Sequence, residues 1–228
     1  MPGDETLTRG TLRTPRAAAI AGILFSVLLI AIIALLRMSV PADPTESGAW
    51  LSTNAKTVVL ALNLVPFAGI AFLWFIGVLR DRLGRREDRF FATVFFGSGL
   101  LFLAMLFAAA AIIGALVIAF AAAPAALVDS PTFHFARAVA YILANVYAIK
   151  MAAVFMISTS TVAMSTRFTP RWIAILGYAL AGILLLGSSA MTWSILVLPA
   201  WVLLVSIHIL IDNFRRPHLP PMPETVER

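Results

Sequence analysis

The chain has 228 residues, of which 61% are hydrophobic and 12% charged, with a formal net charge of +6 and a mean hydropathy of +0.96. A water-soluble core wrapped in a polar shell cannot be built from that composition, so the expected solvent is lipid. The absence of cysteine excludes disulfides, thiolate catalysis and thiolate metal sites. The basic residues flank apolar spans instead of forming a basic domain with interleaved aromatics, which argues against nucleic acid as a partner.

Residues 1–16 are polar, carry Pro2, Gly3 and Pro15, and read as a disordered N-terminal arm. The first apolar span is 17–36, closed by Arg37. It is longer than a signal-peptide apolar region and no small-x-small cleavage site follows it, so an uncleaved helix is expected. Residues 38–56 read as a loop with Pro41, Pro44 and Gly48. The second span, 57–79, contains Pro66 with Asn63 one turn earlier, and a kink is expected there. Pro199 in the last span gives a second candidate kink.

A polar hairpin with Arg80, Arg82, Arg85, Arg86 and Arg89 follows the second span and suits topology and anionic lipid head groups. The third span, 90–123, is long enough that it either tilts strongly or lays its Ala-rich end in the interface. Residues 125–137, with Phe133, His134 and Phe135, read as an interfacial segment. The remaining spans are 138–164, 172–188 and 194–211, and the Pro-rich tail 213–228 is expected to be unstructured.

The predicted architecture is therefore an all-α, six-helix transmembrane bundle over 17–212 with no soluble domain. Most of the basic residues fall on the side of both termini, and the opposite side has Arg37, Lys56 and Arg137. By the positive-inside rule both termini are cytoplasmic.

Lys150 is the residue around which the sequence is organised, because it stands near the middle of an apolar span bounded by Arg137 and Arg167. An intramembrane lysine costs roughly 2.5 to 3.5 kcal/mol on insertion scales and marks a candidate functional site. Helical spacing puts Tyr147 and Thr161 on its face and Ser158 on its flank, with Asn145 nearby. Such a stripe could line a cavity for an anionic group or meet a partner's acid. Alternatively, the amine is satisfied by hydroxyls and carbonyls of neighbouring helices. No carboxylate of the chain falls inside a predicted span, which leaves the lysine without an evident counter-ion and weighs against an ion-coupled carrier.

Other chemistry is weaker. His134 and His208 belong to opposite ends of their spans and cannot share one haem iron, and no cofactor or metal is expected. Ser98, in Gly97-Ser98-Gly99, and His208 could in principle form an intramembrane hydrolase pair. The same small residues are more simply a close helix contact, as are the pairs Ala110/Gly114 and Gly177/Ala181.

The segment TRFTPRWIAILGYALAGILLLG, ending at Gly187, resembles the turn and penultimate helix of several uncharacterised bacterial multi-span membrane families, through Pro170-Arg171-Trp172 and Leu176-Gly177-Tyr178. The resemblance implies a bacterial inner-membrane protein and carries no activity with it. Taken together, the sequence points to a non-enzymatic accessory or scaffolding subunit of a larger membrane complex, such as a transport complex, meeting an anionic lipid, another subunit or a second copy of itself. A small transporter or channel with a cavity around Lys150 is the alternative, and the Ser98/His208 hydrolase a third.

Overall fold

The computed structural model describes residues 14–83, 89–128, 130–166, 169–187 and 193–215, and among them every regular element is helical. The long elements are α1 (Thr14–Ser39), α2 (Trp50–Leu83) and α3 (Arg89–Ala122), followed by a single turn, α4 (Pro124–Leu127). Then come α5 (Pro131–Ile142), a π-helical turn (Leu143–Tyr147), α6 (Ala148–Thr166), α7 (Arg171–Gly187) and α8 (Val197–Arg215), the last preceded by a 3₁₀ turn (Ser194–Leu196). Five segments are long and apolar enough to cross a membrane: Ala17–Ser39, Trp50–Arg80, Thr93–Ala122, Pro131–Ser165 and Ser194–Phe214. α7 is also apolar but has 17 residues, roughly 26 Å at 1.5 Å per residue, slightly less than a hydrocarbon core of ~30 Å.

The bundle is held together by rings. Phe72 on α2 touches Phe25 of α1 at 4.4 Å between centroids, Phe102 of α3 at 5.5 Å and Phe155 of α6 at 5.1 Å, so one side chain joins four helices. Phe95 stacks on Phe155 at 5.0 Å. Lipid supplies no hydrophobic drive between helices, so such dispersion contacts and the close approach of small residues must hold the bundle. Gly99 provides that approach on α3, where a Cβ would lie 2.6 Å from Ile76 Cδ1. Gly177 does so on α7, against Ser160 Oγ and Trp201, whereas Gly114 has only an ordinary contact with Leu62.

Several boundaries differ from the sequence reading. Trp50 to Lys56, read as loop, is the first part of α2. The reason is a second cluster at this end of the bundle, in which Trp50, Leu51 and Val58 of α2 pack on Leu116 and Phe133 and extend the helix beyond the apolar run. The segment 125–137 is likewise mostly helix. Ser130 caps α5 by accepting from the Phe133 N–H at 3.1 Å, with Pro131 in the first turn. α3 runs unbroken to Ala122. Pro66 lies inside a continuous α2. Pro199 is the third residue of α8, just after the 3₁₀ turn Ser194–Leu196, so its missing N–H falls near the start of the helix. The arm 1–13, Arg85, Arg86, Arg167 and the tail beyond Arg215 lie outside the described residues.

Candidate functional site

Lys150 finds its partner within the chain. Its ammonium donates to the backbone carbonyl of Leu184 at 3.3 Å and to that of Leu185, both in the last turn of α7. The last four carbonyls of any helix have no intrahelical donor. In a helix too short to carry its end well into the head groups, those oxygens would face hydrocarbon at a cost of several kcal/mol each. A cation also opposes the partial negative charge of a helix C-terminus. The geometry follows from chain lengths, since Lys150 and Leu185 each lie roughly 20 to 25 Å along their helices from the turn that joins α6 to α7. Lys150 thus clips the end of a short helix.

The stripe predicted around Lys150 is used up in the same way. Thr161 Oγ1 pairs with Tyr178 Oη of α7 at 2.7 Å and also donates to the Ile157 carbonyl at 3.0 Å. Ser158 Oγ donates to the Val154 carbonyl at 3.0 Å. Tyr147 points outward and is exposed. Asn145 lies on the π turn, where its Nδ2 donates to the Tyr141 carbonyl at 3.0 Å. That oxygen is the acceptor an α-helical N–H of residue 145 would use, and competition of this kind accompanies the widened turn. The five residues therefore do not converge on one cavity.

A cavity of about 180 Å³ lies between α1 and α5, backed by α2 and α3 and closed at one end by residues 40–44. Leu29, Ile32 and Ile33 of α1 make one wall, and Ala140, Tyr141, Ala144 and Asn145 another. Arg137, which the sequence offers as a boundary marker, is buried here to 4% exposure. Its Nη2 donates to the carbonyls of Pro41 at 2.6 Å and Asp43 at 2.8 Å, and its guanidinium carbon is 5.8 Å from the Trp50 ring centroid. Nη1 is buried with no hydrogen-bond partner. Asp43 and Glu46 act on this cation through space. The Asp43 carboxyl is held below its ordinary value by the hydroxyl and amide of Thr45, which donate to Oδ1 at 2.7 and 2.8 Å, and more weakly by Arg137.

A second concavity, between α2 and α3, is lined by Asn63, Pro66, Phe107 and Gly114 among others. Asn63 is exposed on an otherwise apolar face whose neighbours include Leu60, Phe67, Ile70 and Trp74, all exposed. Pro66 has no N–H to offer the Leu62 carbonyl one turn back. Asn63 is therefore an exposed polar side chain within one turn of a proline on this apolar face.

Ser98 and His208 are not hydrogen-bonded to each other. Ser98 Oγ donates to the Phe95 carbonyl at 3.1 Å, and α3 packs on α2, α5 and α6 while α8 packs chiefly on α1. Arg80 lies over the Phe96 ring at 5.4 Å, bracing the end of α2 on α3; Arg82 and Arg89 belong to those helix ends. No cluster of three potential metal ligands occurs among the described residues. Asn63 and Arg137 are the positions a sequence reading underrates. The available signals are an asparagine one turn before a proline, and an arginine on the side of the membrane where arginine is scarce.

Comparison with models of protein families, with curated proteins and with solved structures finds no match. What the chain's own helices support is an all-helical protein with five segments able to span a membrane, that is, a multi-pass membrane protein.

Proposed function

We propose that this protein is a six-span protein of a bacterial cytoplasmic membrane, with both termini inside, acting as a non-enzymatic accessory or scaffolding subunit of a larger membrane assembly. The observation that carries this reading is Asn63. The intramembrane polar side chains of α6 and α7 considered above are engaged within the bundle, Lys150, Ser158 and Thr161 with Tyr178 among them. The Asn63 carboxamide, in contrast, is exposed on the apolar face of α2. A carboxamide in hydrocarbon is favoured only with a hydrogen-bonding partner, and polar side chains of this kind join membrane helices. A helix of another subunit, or of a second copy, that brings a carboxamide or hydroxyl to Asn63 and packs on Phe67 and Trp74 would meet the need.

The test is purification of full-length wild type, Asn63→Leu and Lys150→Met in a gentle detergent, with the mass of each complex and its members determined. Wild type and Lys150→Met are expected to carry the same partner, or to dimerise, and Asn63→Leu to run alone while remaining folded. Identical complexes from wild type and Asn63→Leu, or monomers from both, would reject docking through α2. The alternative of a small transporter or channel gains support from the cavity at Arg137, not from the surroundings of Lys150.

A further inference from the structure

The cavity between α1 and α5 has two chemically different ends. One is apolar, formed by Leu29, Ile32 and Ile33 of α1. Two turns further along α1, roughly 12 Å away, the lining becomes Arg37, Pro41 and Arg137, and Tyr141 lies one turn from Arg137 along α5. Arg137 is 4% exposed, and the two N–H groups on its Nη1 have no acceptor. A buried guanidinium with an unused edge is costly unless something supplies that acceptor. Asp43 and Glu46 provide charge at a distance, but the direct partners of Arg137 are the Pro41 and Asp43 carbonyls, both on Nη2.

We propose that this cavity binds an amphiphile consisting of an acyl chain that ends in an anionic oxygen group. The head would lie at Arg137 and the start of the chain along Leu29, Ile32 and Ile33. Arginine pairs with carboxylate and phosphate oxygens through charge-assisted hydrogen bonds, and an aliphatic wall leading away from it selects an acyl chain over a hydrophilic anion. The volume sets the share enclosed. A cavity of ~150 Å³ holds benzene, so about 180 Å³ accepts roughly seven carbon atoms. The rest of the chain leaves past Tyr141, which lines the cavity and is 39% exposed. The inference does not depend on docking at Asn63, since the residues that carry it are separate.

The test uses the full chain in a neutral maltoside detergent, titrated with palmitate, with hexadecanol as the uncharged match and with phosphatidylglycerol as the bilayer form of the same chemistry. Bound molecules are counted by native mass spectrometry and thermal melting is followed in parallel. Palmitate is expected to bind and raise the melting temperature, with hexadecanol about tenfold or more weaker. Ala144→Leu narrows the cavity and leaves both Arg137 hydrogen bonds in place; it should lose about tenfold in palmitate affinity while melting like wild type in the absence of ligand. Arg137→Lys should fall between the two. If phosphatidylglycerol displaces palmitate, the natural occupant is a bilayer lipid; if it does not, a free fatty acid is; either agrees with the proposal. Equal binding of palmitate and hexadecanol, or undiminished binding by Ala144→Leu, would overturn it.

Discussion

Lys150, half-buried, and Arg137, buried, show how differently two cations within the bundle can be used. The Lys150 ammonium is a compact charge with three donors, suited to the Leu184 and Leu185 carbonyls at the end of α7. Replacing it with methionine keeps the bulk and leaves those oxygens without a donor. The cost of an unsatisfied buried acceptor is about 1–3 kcal/mol, so Lys150→Met should unfold at lower denaturant in mixed micelles, with α7 the first helix to exchange its amide protons. A variant as stable as wild type, with α7 protection unchanged, would mean that the clip contributes nothing. The sequence made Lys150 conspicuous and even raised the possibility of neighbouring carbonyls, but it could not show that α7 ends level with it. That depends on where two helices meet. Arg137 was hidden for the opposite reason. An arginine next to an apolar span looks like an interface marker, and its burial comes from the 40–44 segment folding over it, a contact between residues nearly a hundred positions apart.

At the scale of helices, apolar run length made the long elements legible, while their ends were not. Trp50 to Lys56 carries polar residues and still belongs to α2, because Trp50 and Leu51 have the Phe133 cluster to pack on. Glycine is the other feature whose meaning comes from a neighbour. A Cβ at Gly22 would meet Ser206 Oγ and lie 2.8 Å from Phe75 Cδ2, so α1 and α8 approach there as closely as glycine permits. Ser206 Oγ is buried with no partner, so this hydroxyl is held by packing. Gly22→Ala should therefore destabilise the α1–α8 pair by roughly 1–3 kcal/mol, the usual range for overpacking. Adding Ser206→Ala should recover part of that loss, because it removes the atom in the way. Strict additivity of the two substitutions in a double-mutant cycle would show that the contact is not shared.

For the molecule as a whole, the topology turns on α7 completing a crossing. The contacts of α8 bear on it. Ile195, just before α8, lines the cavity beside Leu29, Ile32 and Ile33, whereas Ser206, further along α8, abuts Gly22. α8 therefore runs antiparallel to α1, and the start of α1 and the end of α8 lie on the same side of the bundle. That arrangement is what the proposed six crossings, with α7 included, require. The proposed orientation, with both ends inside, rests on the scarcity of arginine on the face that carries Arg37, Lys56 and Arg137 and on the positive-inside rule. Fluorescent-protein fusions at residue 228 are expected to fluoresce, and alkaline phosphatase inserted after Gly48 to be active. The same phosphatase placed at Trp193, beyond the Lys150 clip, should be active too. Five crossings would put the C-terminus outside, leave the C-terminal fusion dark and make α7 a helix that enters the membrane without leaving it on the far side. In that case Lys150 would be holding a re-entrant segment at its deepest point, where its carbonyls have the greatest need of a donor.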